Sequence, residues 1–541
     1  MKHLTLRIGL VLFSTLIFQP VSAQNFEELK ASDGFGQSVS LLAPRSGIQA
    51  SELGVIVNTN DPQSVAVADY YIQRRNIPAA NVVRVSFPVS YSITEAAFNA
   101  LKAQVDQAMP TGVQALAVTW TAPWKVDCLS LTTAFAFGFD RAFCNTSGVT
   151  CGTTKAITYS AGSTRPKTDH NFRPTMMLAG TNAQNVFNLI DKSISSDRTF
   201  PGGDGYFLRT TDTARSVRWS NLQSTASTWN YSGGLNLNYI DNSAGTGLNY
   251  IENKSNVLFY LTGLSSVPQI TTNSYLPGSV ADHLTSYGGN LLGAGQMSIL
   301  RWLEAGASAS YGTAIEPCNY TSKFPVGSSL VSNYFSGNTV IEAYWKSVSM
   351  PGEGVFVGEP LARPWGTKIT LSGGAASIQT TQLVPGKVYG IYGANTAAGP
   401  FTLVQDGISV AKPSRTIATI SNVVYPFYKI DLAGSITPPP PPPATLDTTP
   451  PTISVTSPSS GAVIAKGANF SVTVSASDNV RVTTVEILID NKVVGRSTAS
   501  PFTVSINTKK LKPGAHTLKA RAYDAAGNSR DSAVVNIQLV Q

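Results

Sequence analysis

The stretch "PGSVADHLTSYGG" (277–289) places an acid, an imidazole and two hydroxyls within five positions: Asp282, His283, Thr285 and Ser286. An imidazole next to a hydroxyl can act as a general base on a nucleophilic oxygen. In a helix, His283 and Ser286 would share a face. In a strand, His283 would lie on the same face as Thr285, and Asp282 would point away. The stretch therefore predicts either a catalytic cluster or a buried polar turn.

A further acid, Glu316, follows the next predicted strand, "ASASYGTA". The carboxyl ends of parallel strands meet at one edge of a sheet, where ligand crevices form. This predicts a cluster of Asp282, His283, Ser286 and Glu316, in which His283 is the base and Ser286 the nucleophile. The alternative is structural, because polar residues at strand ends commonly cap helices or bond to loop amides.

Strands and helices alternate through residues 24–366. The apolar strand "LGVIVNT" precedes the helical pattern "PQSVAVADYYIQRRN", and "NVVRVSF", "ITEAAFNALKAQVDQAM" and "VQALAVTWTAP" continue the alternation. Such alternation is typical of βαβ units. We therefore predict one large three-layer α/β domain with a mostly parallel sheet.

Three further segments follow this domain. Short strand patterns with Gly and Pro turns predict a small β-module over residues 367–434. Six consecutive prolines at 438–443 make residues 435–446 an extended polyproline linker. Residues 447–541 alternate apolar and polar residues between turns, which predicts a β-sandwich, and "DNK" within them predicts a hairpin turn.

The sandwich offers the one cofactor site that we consider. Asp478, Asp524 and Asn528 fall at predicted loop ends and could ligate Ca²⁺. Ordinary turn chemistry is the alternative for these residues. No other metal or cofactor is expected.

The N-terminal residues resemble an export signal. "MKHLTLR" is basic, the eleven residues "IGLVLFSTLIF" are apolar, and "VSA" is a small-residue cleavage site, so we expect residues 1–23 to be removed. The apolar run is too short to span a bilayer, and no longer one follows. The sequence therefore predicts an exported chain without an integral membrane segment, located in the periplasm, at the cell surface or outside the cell.

The formal charge is +8, but the basic residues are scattered and no nucleic-acid-binding motif accompanies them. We therefore expect no nucleic-acid partner. An extracellular protein or polysaccharide fits better, with weak affinity for anionic glycans. In the run "GGDGYFLRTTDTARSVRW", Arg209, Arg215 and Arg218 are expected to form surface ion pairs, and an anion site is the alternative.

The four cysteines are Cys128, Cys144, Cys151 and Cys318. An even number in an exported chain predicts two disulfides. Three connectivities are possible, and the short spacing between Cys144 and Cys151 favours that pair, which leaves Cys128 with Cys318.

Several stretches carry resemblances to known families. "VIVNTNDPQSVAVADYYIQRRNIP", "YLPGSVADHLTSYGG", "LEAGASASYGTAIEPCN" and "GEPLARPW" resemble an uncharacterised family of secreted bacterial proteins from exosortase-carrying genomes. "PGAHTLKARAYDAAGNS" resembles bacterial Ig-like domains, which serve as spacers or adhesion modules.

A more distant resemblance is to gingipain-like cysteine peptidases of the caspase fold. The order of strands and helices is similar, with Glu342-Ala343 and Gly358-Glu359-Pro360 as motif-like elements. The family has a His-Gly after one strand and a Cys after the next. Here the first position reads Gly263-Leu264, and the second offers Thr285 or Ser286. The resemblance thus implies a caspase-like fold without the peptidase dyad.

Two functional hypotheses follow. The missing dyad favours a non-catalytic cell-surface or matrix binding protein on a degenerate peptidase fold. The alternative is a divergent hydrolase or peptidase that uses His283 and Ser286.

Overall fold

The computed structural model describes residues 26–34, 37–145, 152–231, 234–293, 295–434, 447–479 and 481–541. The chain forms two compact units, Met1–Pro438 and Pro439–Gln541. The expected signal peptide, the polyproline linker and Cys151 lie outside the described residues. Within the described part of the chain, no helix combines the length and the apolar character needed to cross a membrane.

The first unit alternates strands and helices over much of its length. Its strands are β1 (Phe26–Ser32), β2 (Ser38–Pro44), β3 (Leu53–Asn58), β4 (Val82–Val85), β5 (Ser92–Ile93), β6 (Ala115–Val118), β7 (Lys125–Val126), β8 (Leu129–Ser130), β9 (Thr175–Met177), β10 (Gly203–Arg209), β11 (Leu235–Asp241), β12 (Val257–Gly263), β13 (Tyr275–Leu284), β14 (Ala309–Thr313), β15 (Gly354–Gly358), β16 (Lys368–Ser372), β17 (Ala375–Thr380), β18 (Val388–Ala394), β19 (Thr402–Ser409), β20 (Thr416–Ile420) and β21 (Phe427–Leu432). Its helices are α1 (Pro62–Arg75), α2 (Glu95–Ala108), α3 (Leu131–Phe137), α4 (Pro166–His170), α5 (Ala183–Ile194), α6 (Trp219–Thr228), α7 (Leu300–Ala305), α8 (Gly327–Phe335) and α9 (Val340–Ser347).

Local sequence explains the first βα unit. Every residue of β3 is buried, as expected for a continuous apolar strand inside a sheet. The side chain of Asp61 accepts a hydrogen bond from the Gln63 amide, and Pro62 occupies the first turn of α1. Asn76 ends the helix in the left-handed conformation, with φ of 53°.

The central sheet has ten strands in the order β11-β10-β12-β13-β14-β15-β9-β6-β3-β4. All neighbours run parallel except β14 and β15, which are antiparallel. The expected mostly parallel sheet is therefore a mixed one, made of two parallel halves that run in opposite directions. As a result, the carboxyl ends of β12, β13 and β14 share one edge, and those of β3, β6 and β9 lie at the opposite edge.

Each face of this sheet has its own hydrophobic core. Val55 and Val57 pack with residues of α1, α5, α8 and α9, whereas Ile56 packs with residues of α2, α3 and α7. Because adjacent residues of a strand point to opposite faces, this division means that helices cover both sides. The arrangement is the predicted three layers.

The β-module contains more of the chain than expected. Its five-stranded sheet has the order β1-β2-β21-β18-β19, and β16-β17-β20 form a second sheet. One core joins the two sheets and includes Leu29 and Leu41 from the N-terminal strands. Residues 26–44 therefore belong to the β-module rather than to an α/β domain over 24–366, because β2 pairs in parallel with β21.

The disulfide pairing also differs from the favoured one. Cys144 bonds to Cys128, with Cα atoms 5.6 Å apart, so the preference for Cys144–Cys151 and for Cys128–Cys318 was wrong. The chain leaves Cys128, forms α3 and folds back, which brings the two sulfurs together. Cys318 is also disulfide-bonded.

The second unit is a sandwich of two sheets, as predicted. Its strands are β22 (Thr452–Ser457), β23 (Ala462–Ala465), β24 (Asn469–Ser477), β25 (Val482–Ile489), β26 (Lys492–Ser497), β27 (Phe502–Asn507), β28 (Gly514–Asp524), β29 (Ser529–Asp531) and β30 (Val535–Val540). One sheet is β22-β24-β27, and the other is β23-β30-β28-β25-β26 with β29 on β28. Asp490 and Asn491 have φ of 50° and 64° and form the hairpin turn expected at "DNK".

Candidate functional site

Asp282 and His283 lie near the carboxyl end of β13, an interior strand of the ten-stranded sheet. Leu261 and Thr262 of β12 are their neighbours in register. Both side chains are only 1% exposed. Because successive residues of a strand point to opposite faces, the two side chains enter different layers of the protein.

Both ring nitrogens of His283 are occupied. The indole of Trp302 donates a hydrogen bond to Nδ1 over 2.9 Å, and Nε2 lies 3.1 Å from the carbonyl oxygen of Met297. An indole nitrogen can only donate, so Nδ1 accepts, and the ring proton lies on Nε2, which donates to Met297. The neutral imidazole therefore has no free lone pair with which to take a proton from a hydroxyl.

Burial keeps this imidazole neutral. It lowers the pKa of His283 to about 3, and the charges of Arg218 and Arg215 act in the same direction, while the bond to Met297 opposes them. A base is most effective when its pKa lies near the working pH. Both the hydrogen bonds and the pKa are thus those of a structural histidine.

Asp282 forms a buried ion pair on the other face of the sheet. Its Oδ1 accepts a hydrogen bond of 2.7 Å from Nη2 of Arg218, which is 4% exposed. Arg218 also donates to the carbonyl oxygen of Thr262 over 2.7 Å. Burial raises the pKa of Asp282, and Arg218 opposes that shift. The expectation of a surface ion pair for Arg218 was wrong, because its partner is a buried strand residue.

The other two arginines of the stretch "GGDGYFLRTTDTARSVRW", Arg209 and Arg215, form ion pairs near the surface, as expected. Arg215 contacts Asp212 at 2.8 Å, and Arg209 contacts Asp241 at 3.2 Å. Their side chains are partly exposed.

The predicted hydroxyls and Glu316 lie at the expected edge of the sheet, but they do not bond to His283. Thr285 donates to Oε1 of Gln296 over 2.8 Å. The half-buried Ser286 accepts at its carbonyl oxygen from Thr313, the last residue of β14, over 2.9 Å. Oε1 of Glu316 accepts a hydrogen bond of 2.8 Å from the amide of Cys318, two residues further along the chain, and so stabilises the local turn. In the described chain, no hydroxyl or carboxylate hydrogen-bonds to the imidazole.

The two gingipain-like motif acids are also structural. Glu359 is fully buried and accepts hydrogen bonds from Tyr71 over 2.6 Å and from Nε of Arg75 over 3.0 Å. Arg75 also pairs with Asp197. Glu342 forms a capping box with Thr339 at the start of α9. Glu359 therefore ties α1 to the end of β15, and Glu342 caps α9.

The carboxylates of the sandwich form the one cluster of possible metal ligands among the described residues. Oxygens of Asp447, Asp478 and Asp524 all lie within 4.8 Å of one another. Oδ2 of Asp447 is buried, with no hydrogen-bond partner within the described residues. Carboxylate oxygens are the ligands that Ca²⁺ prefers. This set fits Ca²⁺, and it contains two of the three residues expected from the sequence.

Asn528, the third residue expected there, holds the loop together. Its side-chain nitrogen donates to Oδ2 of Asp524 and to the carbonyl oxygen of Asp447, both over 2.7 Å. Asp447 was not predicted from the sequence, because it lies just after the proline run and far from β28 along the chain.

Comparisons with known proteins bear on the second unit. Residues 451–520 match the bacterial Ig domain family. No curated protein matches the chain. Fibronectin(III)-like modules of CbhA from Clostridium thermocellum are 23% identical, cover 16% of this chain and 94% of theirs, and give a TM-score of 0.16.

Two Porphyromonas gingivalis structures align over most of the chain. The complex of RgpB pro- and mature domains is 9% identical and covers 90% of this chain and 100% of its own, with a TM-score of 0.30. Dimeric latent PorU is 10% identical and covers 91% of this chain and 55% of its own, with a TM-score of 0.22.

Proposed function

We propose that this protein is an exported, non-catalytic binding protein of the cell surface or extracellular matrix. In this proposal the α/β domain is a degenerate caspase/gingipain-like scaffold, and the Ig-like domain is a spacer or an adhesive module. The ligand is an extracellular protein or polysaccharide. We also propose that this chain is related to the uncharacterised secreted bacterial family from exosortase-carrying genomes, which its sequence resembles.

The observation that carries the proposal is the environment of His283. Trp302 occupies the acceptor nitrogen, and Met297 binds the ring proton. His283 therefore does not activate Ser286, and an unassisted serine hydroxyl is a weak nucleophile. The divergent-hydrolase alternative would require His283 to leave both partners and a site that is 1% exposed.

A serine-directed fluorophosphonate probe tests this proposal on the full chain. We expect no labelling of the folded protein, and Ser286→Ala should behave like the wild type. Trypsin in the same experiment serves as the positive control. Labelling at Ser286 that the Ser286→Ala variant loses would overturn the proposal in favour of the hydrolase.

We also propose that the Ig-like domain binds Ca²⁺ through Asp447, Asp478 and Asp524. The three carboxylates are close enough to share one cation. Like charges at this spacing repel one another, and a divalent cation would relieve that repulsion. The bound ion would join Asp447, at the start of the domain, to the ends of β24 and β28.

Calorimetric titration of the EDTA-treated full chain with CaCl₂ tests this site. We expect one equivalent to bind, and the melting temperature of the Ig-like domain should rise. The Asp478→Asn variant should lose both effects, whereas Asp406→Asn, an exposed carboxylate of the β-module, should keep them. Equal binding by the two variants would reject the site.

A further inference from the structure

A pocket of about 410 Å³ opens in the first unit, beside the C-terminal end of α2 and next to α3 and α4. Lys102, Asp106, Lys167 and Arg173 contribute the charged groups of its wall, and Phe137 and Phe172 contribute rings. We call this the basic pocket. It is separate from the His283 region, whose residues do not line it.

The basic pocket has an excess of positive charge. Among the described residues that line it, three are cationic, and Asp106 is the one carboxylate. Asp106 lies 2.5 Å from the Lys102 ammonium and 3.6 Å from Nη1 of Arg173. One carboxylate thus serves two cations, which leaves a formal charge of +2 on the wall.

Lys167 is the cation least compensated by the protein. Its ammonium bonds to the neutral amide oxygen of Asn171 over 2.6 Å. Burial lowers the pKa of Lys167, and the charges of Arg173 and Lys102 lower it further, against Asp106. A bound anion would raise the pKa of Lys167 again, because an opposite charge favours the ionised form.

The guanidinium of Arg173 is held in place before any ligand binds. Its Nε donates to the carbonyl oxygen of Val113 over 3.0 Å, and Nη2 donates to that of Pro110 over 3.4 Å. Its side chain is 11% exposed. A fixed donor loses little conformational entropy on binding, so Arg173 is suited to orient an anionic group.

The rest of the wall contains three phenylalanines, together with Met109, Thr111, Ala136 and Asn171. Phe137 is half-buried and stacks on Phe172, with ring centroids 4.7 Å apart. A ligand that fits this wall needs an anionic group that pairs with the cations. It also needs an apolar face that packs against the ring of Phe137. A uronic acid has both, since its carboxylate projects from a pyranose whose C–H groups form an apolar face.

We infer that the basic pocket binds a carboxylate-bearing saccharide, such as a uronic acid unit of an acidic polysaccharide. The ligand carboxylate lies among Lys102, Lys167 and Arg173, and the sugar ring packs against Phe137. The ligand class rests on the proposed function, whereas the site rests on the charges and shape of the pocket. The pocket provides a specific site for the anionic-glycan affinity expected from the net charge.

Titration of the full chain with tetragalacturonate, with maltotetraose as the neutral counterpart, tests this inference. We expect tetragalacturonate to bind and maltotetraose not to bind. The Lys167→Gln variant should weaken binding by about tenfold, because a charge-assisted contact is lost. The matched control is Lys387→Gln, an exposed lysine of the β-module, which should bind within about twofold of the wild type.

If the Lys167→Gln variant melts at a lower temperature than the wild type, the same titration is carried out with the Lys102→Gln variant, which should also bind tetragalacturonate more weakly. If both variants bind tetragalacturonate as tightly as the wild type, the basic pocket is not the binding site, although the protein still has a binding role. Equal binding of maltotetraose, or stronger binding of poly-glutamate or of an oligonucleotide, would overturn the saccharide assignment. Probe labelling at Ser286 tests the proposed function separately, so the two failures are distinguishable.

Discussion

At the scale of the residue, the role of His283 depends on which groups its two nitrogens meet. Trp302 and Met297 lie C-terminal to it, in α7 and in the loop that leads to that helix. The hydrogen bonds of His283 to these two residues connect β13 to α7 and to the loop before it. Asp282 is next to His283 along the chain, yet the two side chains lie on opposite faces of the sheet, because strand residues alternate between faces.

Removal of this imidazole should destabilise the first unit. We expect the His283→Ala variant to lose about 3 kcal/mol of unfolding free energy, because it leaves a cavity and an unsatisfied indole N–H. His170→Ala, a change at the end of α4, is the control and should cost much less. Urea denaturation at neutral pH measures both variants. A loss as small as that of the control would contradict the structural role.

The lowered pKa of His283 also predicts an acid dependence. The folded-state pKa is about 3, below the ordinary value of 6.5. Between these values the unfolded chain binds more protons, so stability falls as the pH drops from 6.5 towards 3. One such group gives a slope of at most about 1.4 kcal/mol per pH unit. Denaturation across this range should show a shallower slope in His283→Gln, and an unchanged slope would refute the assignment.

His516 in the Ig-like domain should behave in the opposite way. Both its nitrogens face acceptors, the carbonyl oxygen of Lys512 at 2.7 Å and the carboxylate of Asp490 at 2.5 Å. These bonds raise the pKa of His516, the one to Lys512 most strongly. The stabilisation is complete below 6.5 and is lost as the pH rises through the raised pKa.

We expect His516→Gln to lower the stability of the Ig-like domain by about 1 kcal/mol or less at acidic pH, since the pair is partly exposed. Above the raised pKa, the variant and the wild type should converge. Thermal melts at several pH values measure this difference. A constant difference at every pH would mean that protonation of His516 has no part in it.

At the scale of the element, the Cys128–Cys144 disulfide ties the chain before α3 to the chain after it. The two cysteines are 16 residues apart, so the cross-link closes a short loop. Only the tertiary path decides this pairing, because α3 turns the chain back on itself whereas sequence spacing favours the nearer cysteine.

Peptide mapping without reduction should recover Cys128 linked to Cys144. Replacement of both by serine should cost about 3 kcal/mol, since the unfolded chain regains the entropy of a loop of this length. A disulfide between Cys144 and Cys151, located after cleavage of the chain between these two residues, would refute the pairing. Unchanged stability of the double variant would show that α3 is held by its core contacts alone.

At the scale of the whole molecule, the described residues form two units; the first contains three hydrophobic cores, and the second has one of its own. The core of the second unit includes Val485, Ile487 and Leu518, and all its members lie after the linker. Buried apolar surface is the main source of stability. Each unit should therefore unfold as a separate cooperative transition.

Calorimetry of the full chain should resolve two transitions. We expect His283→Ala to move only that of the first unit and His516→Gln only that of the second. The first unit should give the larger enthalpy, because enthalpy scales with the number of ordered residues. A single transition that both variants shift equally would contradict the prediction.

The sequence by itself determined the features that depend on local chemistry. Pro62 marked the start of α1, and Asp490 and Asn491 marked a hairpin turn, because helix starts and turns use neighbouring residues. Alternation of strands and helices predicted the layered α/β architecture. Tertiary structure alone decided the pairing of β2 with β21, the partner of Cys144 and the partners of His283. Each of these contacts joins residues whose separation along the chain leaves no local signature, and burial then fixed the chemistry of each side chain.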